Sequence, residues 1–181
     1  WNWTVYIEKR EIKKRLSYVF VKELYDLAMR DAIDFVKRYM EENSKVYETS
    51  FDERRFGIFA STLQKLEERG MSRLSEFVES VETTEKAKEL IGRTGIPLEA
   101  LKVTFDYVDH AILPEKKPVR LVIDNSNPSH LLHVDTLGKN KIANNLALLD
   151  VSRTKEAREI LAKETGIPEE VLTEFVNRAD I

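Results

Sequence analysis

The chain has 181 residues, of which 42% are hydrophobic and 34% are charged, and 29 basic against 32 acidic side chains leave a net charge of -3. This composition excludes bulk disorder and argues against polyanion binding by the whole surface. The absence of cysteine excludes disulfides, thiolate metal sites and a cysteine nucleophile.

The first 40 residues change their hydrophobic period. Residues 1–8 alternate, with Trp1, Trp3, Val5 and Ile7 on one side, which predicts a short strand or an extended arm. From Ile12 onward, apolar residues recur at helical spacing, which predicts one long helix reaching Met40. Its polar face carries alternating charges four residues apart, which favours a solvated ladder of ion pairs: Lys22, Asp26, Arg30, Asp34 and Arg38.

Shorter elements follow in the middle of the chain. Ser50 and Glu53 are spaced as a capping box that opens the next helix, and helices are predicted over residues 71–81, 85–93 and 97–111. Residues 119–123 read as a second short strand, which we expect to pair with residues 3–7 because a lone strand leaves its backbone unsatisfied. A turn then leads to a helix that starts at Pro128.

A duplicated corner is the most informative feature of the sequence. Thr-Gly-Ile-Pro stands at residues 94–97 and again at 165–168. In each copy the glycine can end one helix at positive φ and the proline can begin the next helix at its first position. These structural corner residues are Gly95, Pro97, Gly166 and Pro168.

The upstream parts of the two copies align less closely. Residues 70–74 correspond to 133–137, with Ser72 and Asp135 as helix N-caps and eight more residues before the corner in the second copy. The sequence therefore predicts a mainly α fold with an internal duplication of a helix-turn-helix-like unit and at most a small two-stranded β element. The predicted segments are 1–65, an N-terminal arm with long amphipathic helices; 66–111, the first helical repeat; 112–128, a connector; and 129–181, the second repeat.

The second copy resembles a known family. Residues 164–172 read ETGIPEEVL, residues 175–180 read FVNRAD, and Val134 to Leu137 read VDTL. These motifs are similar to those of a family of domains of unknown function built from tandem helix-hairpin-helix-like units. The resemblance covers roughly residues 66–111 and 129–181, with His133 in place of the family's glycine. It implies an all-helical fold and an expectation of DNA binding.

Two basic segments are candidates for contacting nucleic acid. The first follows the aromatic arm, where aromatic rings could stack on bases and cations could track phosphates: Lys9, Arg10, Lys13, Lys14 and Arg15. The alternative is a solvated helix start beside aromatic residues that belong to the core or to an oligomer contact. The second contains Lys139 and Lys141 in a segment that resembles a phosphate-binding hairpin. Against DNA reading by the corner itself, Glu169, Glu170 and Glu174 would repel phosphates.

A metal site is the third hypothesis. All three histidines fall between residues 110 and 133, and imidazole with carboxylate suits zinc or manganese. The candidate ligands of a divalent metal are Asp106, His110, His130 and His133. The alternative is that the helix-end aspartates are structural, because Asp109 has the counterpart Asp180 with no histidine beside it.

Taken together, these features favour a non-enzymatic helical module that acts through a protein partner or self-association, with no cofactor. The alternatives are a nucleic-acid-binding accessory protein and a metal-dependent enzyme. Because the sequence has no apolar run near the ~20 residues of a membrane helix, we expect no membrane partner and a cytoplasmic protein. High charge with only 6 glycines and 5 prolines is typical of a thermophilic source.

Overall fold

Twelve α-helices account for most of residues 2–47 and 52–180, the part of the chain that the computed structural model describes. The helices are α1 (Trp3–Glu8), α2 (Ile12–Leu16), α3 (Val19–Tyr25), α4 (Met29–Tyr47), α5 (Glu53–Glu68), α6 (Leu74–Ser80), α7 (Thr84–Thr94), α8 (Leu98–Tyr107), α9 (Pro128–Lys139), α10 (Asn145–Ser152), α11 (Lys155–Thr165) and α12 (Glu169–Ala179). A π-helical turn covers Val108–Ile112 and a 3-10 turn covers Val119–Leu121. The predicted mainly α class is confirmed.

Neither predicted strand forms, so the predicted pairing of residues 3–7 with 119–123 is wrong. Asn2 caps α1, and its side chain accepts a hydrogen bond from the Val5 amide. Trp3 and Ile7 are buried one helical turn apart, whereas Val5 is 42% exposed. Two of these three apolar residues therefore lie on the buried face of a helix, and their spacing resembled the alternation of a strand. Residues 119–121 form the 3-10 turn after Pro118. Trp1 lies outside the described residues.

The predicted long helix is three helices, α2, α3 and α4. The last break lies at residues 26–28, where the backbone pairs with the approach to α6: the Met29 amide donates to the Ser72 carbonyl (3.2 Å) and the Leu74 amide to the Leu27 carbonyl (3.1 Å). Asp26 is therefore not a solvated member of a charge ladder. It is buried, and its carboxylate accepts hydrogen bonds from the Ser75 amide and hydroxyl, both at 2.8 Å.

The start of α5 is capped by Asp52, whose carboxylate accepts from the Arg55 amide at 2.9 Å. The capping box predicted at Ser50 and Glu53 rests on a residue outside the described part of the chain. The predicted proline start is confirmed, since α9 begins at Pro128 and the Asn127 side chain caps it.

The chain divides into two compact units, residues 1–17 with 21–113 and residues 18–20 with 114–181. In the first unit α5 packs on α4 and α8, α2 on α6, and α1 on α7, around the fully buried rings of Phe59, Phe77 and Phe105. In the second unit α10, α11 and α12 pack on one another around Leu172 and Phe175.

Both Thr-Gly-Ile-Pro corners have the predicted glycine conformation. Gly95 has φ of 70° and Gly166 has φ of 72°, and each amide donates to the carbonyl four residues earlier, at 2.8 and 2.9 Å. The helices that follow the two prolines begin one residue later than predicted. Pro97 and Pro168 are N-caps, and the helices begin at the residues after them.

Upstream of the corners, the predicted correspondence is wrong. The Met71 amide donates to the Leu66 carbonyl (3.1 Å), and the Ile142 amide donates to the Leu137 carbonyl (2.9 Å), so Leu137 is the counterpart of Leu66 rather than of Leu74. One constant offset of 71 residues relates helices and turns of 66–109 to those of 137–180, with no insertion. The predicted caps fail for the same reason.

The cap corrections follow directly from the helix bounds. Arg73 rather than Ser72 is the residue that precedes α6, and Asp135 lies inside α9, whose N-cap is Asn127. Asn144 caps α10, and its side chain accepts from the Ala147 amide at 2.9 Å.

We expect Gly166→Ala to lower the free energy of unfolding by about 1 kcal/mol, because an L-residue pays that cost in the left-handed region. An added Cβ would meet no atom within 4 Å, so backbone conformation alone sets the effect. Gly92→Ala is the matched control: it is helical, equally unobstructed, and should gain up to about 1 kcal/mol. Urea unfolding measures both, and a loss of equal size in the two variants would contradict the corner assignment.

Candidate functional site

The predicted N-terminal basic segment is largely engaged with carboxylates. Arg15 is only 6% exposed, and its Nη1 donates to Asp109 Oδ1 at 2.5 Å. Its Nη2 donates to the carbonyls of Asp109 (2.7 Å) and Leu113 (3.2 Å). This residue is therefore a buried structural cation and not a contact for phosphate.

Arg10 belongs to the same cluster. Its guanidinium lies 3.1 Å from Asp106 and 3.0 Å from Asp109, and it stacks 3.7 Å above the centre of the Tyr6 ring. Arg55 adds a third cation, 3.2 Å from Asp106. We call these six residues of the first unit the Arg–Asp network: Tyr6, Arg10, Arg15, Arg55, Asp106 and Asp109.

Tyr6 closes the network on one side. Its hydroxyl donates to Asp106 Oδ1 at 2.6 Å. Burial raises the pKa of the phenol well above its ordinary value, and the hydrogen bond to Asp106 raises that pKa further. The folded state therefore favours the neutral phenol.

Above the ordinary tyrosine pKa of about 10, the unfolded chain loses the Tyr6 phenol proton while the folded chain keeps it. We therefore expect the Tyr6 contribution to stability to be complete below about pH 10 and to decrease as the pH rises above that value. Tyr6→Phe should flatten the fall in unfolding free energy that begins at about pH 10 and continues as the pH rises toward the raised pKa of the folded state. Chemical unfolding at several pH values measures this slope, with Tyr39→Phe as the control for loss of an exposed hydroxyl. A slope in Tyr6→Phe as steep as in the wild type would contradict the assignment.

The lysines of the segment stay on the surface. Lys13 lies 2.5 Å from Glu82 and Lys14 lies 3.5 Å from Glu11, whereas Lys9 is exposed. Hydrogen bonds from Lys13 and Lys86 lower the pKa of Glu82 to about 2, so this carboxylate is ionised at neutral pH. The positive charge that the sequence concentrates at residues 9–15 is thus mostly compensated locally.

Beside these lysines lies a groove of about 620 Å³ in the first unit. We call it the N-terminal groove. Its apolar lining consists of Ile7, Ile12, Val78 and Phe105, and its charged lining consists of Glu8, Glu11, Lys13, Lys14 and Glu82. Sequence reasoning missed this groove, because its lining comes from α1, α2, α6 and α8.

The rim of the groove carries a backbone conformation that is uncommon for its residue type. Glu11, between α1 and α2, has φ of 51°, in the left-handed region that glycine favours. Residues in such strained conformations are frequent at ligand-binding sites, so this edge of the groove is a candidate contact surface.

The second basic candidate is an exposed turn in the second unit. Lys139 ends α9, and Lys141 has φ of 64°, which places it in the left-handed position that Gly70 holds in the first unit. In the first unit the Ser72 amide of this turn donates to Glu76 Oε2 at 2.6 Å. The residue equivalent to Glu76 in the second unit is Ala147, which offers no such acceptor.

The predicted metal ligands fall in separate units. In the first unit the Asp106 carboxylate is bound by Tyr6 and the two arginines, and His110 Nδ1 lies 3.0 Å from the Asp106 carbonyl oxygen. Within residues 2–47 and 52–180, no group of three or more His, Asp or Glu side chains is arranged to hold a metal ion.

The other two histidines belong to the second unit. His130 is buried, with Nε2 3.9 Å from Glu174 and its ring edge-on to Phe175 at 5.1 Å between centroids. His133 is partly exposed on α9. The divalent-metal hypothesis stays a prediction for which the described side chains provide no ligand set.

Comparison of the chain with protein-family models, with curated proteins and with solved structures gave no match. The similarity to helix-hairpin-helix-like domains therefore stays a prediction from the motifs alone. No helix in the described part of the chain has both the length and the apolar character needed to cross a bilayer.

Proposed function

We propose that the protein is a non-enzymatic helical module that acts through contacts with a protein partner. The N-terminal groove is the single observation that carries this proposal. It combines an apolar floor with a charged rim, which is the arrangement of a protein–protein interface with an apolar centre and a polar edge.

The chemistry of the groove indicates what the partner presents. A floor of Ile7, Ile12 and Phe105 suits inserted aliphatic or aromatic side chains. The rim carries three carboxylates and two lysines, and both lysines already contact carboxylates. The remaining negative charge favours a segment with a basic residue beside its apolar anchors.

The first test is a selection of random peptides on the immobilised full chain, followed by affinity measurements on single peptides. Ser17→Trp should fill the groove and weaken the selected peptides at least tenfold. Ser61→Trp is the matched control, because both serines are exposed and each hydroxyl donates to the carbonyl three residues earlier. Peptides that bind both variants equally, or a selection that yields none, would overturn the proposal.

A second variant tests the charge argument separately. Glu8→Lys changes an exposed rim residue and should weaken the binding of peptides that carry lysine or arginine by a larger factor than that of neutral peptides. An equal effect on the two peptide classes would contradict the predicted basic residue in the partner.

A nucleic-acid-binding accessory protein is the second candidate function. The turn at Lys139 and Lys141 favours this function. In the first unit, the equivalent turn binds the Glu76 carboxylate through the Ser72 amide. In the second unit, Ala147 stands at the position of Glu76 and provides no carboxylate. Two exposed lysines beside such a turn provide the positive charge that phosphate contacts need.

This candidate is tested by binding to a single-stranded and a duplex oligonucleotide over a range of salt concentrations. Lys139→Ala combined with Lys141→Gly, which keeps the positive φ, should reduce the salt slope by about two units. Lys163→Ala, an exposed lysine on α11, is the control. No binding by the wild type at low salt would remove this candidate.

A further inference from the structure

The second unit has an apolar groove of its own, between α10 and α11. We call it the C-terminal groove. It has a volume of about 320 Å³, and its apolar lining includes Ile142, Val151, Ala157 and Ile160. Val151 is 44% exposed and Ile160 is 58% exposed, so neither side chain is part of the core.

The first unit has a groove of the same volume at the equivalent place. It is also about 320 Å³, and its lining includes Ser80, Lys86 and Glu89. With the constant offset of 71 residues, these three positions become Val151, Ala157 and Ile160 in the second unit. The buried leucine below them is kept in both units, as Leu90 and Leu161.

The comparison of the two units shows which side chains the packing of this helix pair requires. The same helix pair forms in the first unit with serine, lysine and glutamate at these positions, so packing of the two helices does not require apolar side chains there. Exposed apolar residues that are not needed for packing, and that adjoin one groove, are characteristic of an interaction site.

One charged position of the lining changes sign between the two units. Glu164 is the ionisable residue that lines the C-terminal groove, and its counterpart in the first unit is Arg93. A carboxylate beside a small apolar groove is complementary to a lysine or arginine that neighbours an aliphatic anchor.

We propose that the C-terminal groove binds a partner protein segment that inserts an aliphatic side chain between Val151 and Ile160 and places a basic residue against Glu164. This inference shares the class of function proposed above, but it stands on different residues in the other unit. Either groove can therefore fail without the other.

The experiment uses the same peptide selection, with peptides sorted by the variants they bind. Peptides of the C-terminal groove should keep their affinity for Ser17→Trp and lose at least tenfold on the double variant Val151→Ser, Ile160→Glu. The double variant copies residues that the first unit already accommodates, so we expect it to fold. Urea unfolding confirms that it does.

Two further variants make the result specific. Leu131→Ser with Leu132→Glu removes two exposed apolar side chains of α9 that do not line the groove, and it should leave the peptides bound. Glu164→Arg, which copies Arg93, should weaken peptides with a basic residue and favour acidic ones.

Three results would overturn the inference. The first is a selection with no peptide that depends on Val151 and Ile160. The second is a selection on the wild-type chain in which the peptides that depend on Val151 and Ile160 are acidic. The third is self-association of the wild type that the double variant abolishes, because the groove would then be covered by a second copy of the chain.

Discussion

Replacing Arg15 with alanine is expected to lower the free energy of unfolding by about 3 kcal/mol, the lower end of the range for breaking a buried ion pair. The guanidinium is buried, and it donates to the Asp109 carboxylate and to two carbonyls. Its loss leaves Asp109 short of its main partner in a low-dielectric site. Arg10 stays 3.0 Å from Asp109, which is why we do not expect the upper end of the range.

Two controls separate a buried pair from a surface cation. Lys14→Ala removes a neighbouring exposed charge and should change the unfolding free energy by no more than about 0.5 kcal/mol. Arg15→Met together with Asp109→Leu removes both charges and should cost less than Arg15→Ala alone. A negligible effect of Arg15→Ala on urea unfolding, with weakened oligonucleotide binding, would restore the original interpretation of this residue.

The elements that sequence reasoning predicts correctly depend on local chemistry. Gly95 and Gly166 end their helices because glycine adopts positive φ at little cost, and this holds wherever the helix lies. Pro128 begins α9 because a first-turn residue needs no amide donor. The mainly α class follows from many such local preferences that agree.

The errors arise where a pattern is compatible with two structures. Trp3 and Ile7 are four residues apart, a spacing that fits one face of a strand and one face of a helix equally well. Asp26 fits an i,i+4 charge ladder in the sequence, but its partner is Ser75, 49 residues away. No local rule identifies a capping partner at that distance.

The candidate site shows the same limit. A count of basic residues at 9–15 cannot distinguish Arg15, which faces Asp109, from Lys9, which faces solvent. The C-terminal groove is different, because Val151 and Ile160 stand at the positions of Ser80 and Glu89 in the first copy. An alignment of the two Thr-Gly-Ile-Pro corners shows this contrast in the sequence alone, but the prediction of the site did not use it.

Truncation of Trp3 is the second large effect that we expect. Trp3 is 2% exposed, its indole N–H donates to the Val81 carbonyl at 2.5 Å, and its ring lies 5.9 Å from that of Phe105. Trp3→Ala should therefore destabilise the protein by about 3–5 kcal/mol, the cost of truncating a large core aromatic. Trp3→Phe keeps an aromatic ring but leaves the Val81 carbonyl without this donor, and it should cost about 1–3 kcal/mol.

The comparison with Val5 decides between a core element and a surface arm. Val5 lies on the same helix but is 42% exposed, so Val5→Ala should change the unfolding free energy by no more than about 0.5 kcal/mol. Urea unfolding of the three variants should give the order Trp3→Ala, Trp3→Phe, Val5→Ala from largest loss to smallest. If Trp3→Ala is as mild as Val5→Ala, then α1 is peripheral to the core. The N-terminal groove would then lose one of its walls, since Ile7 of α1 forms part of its lining.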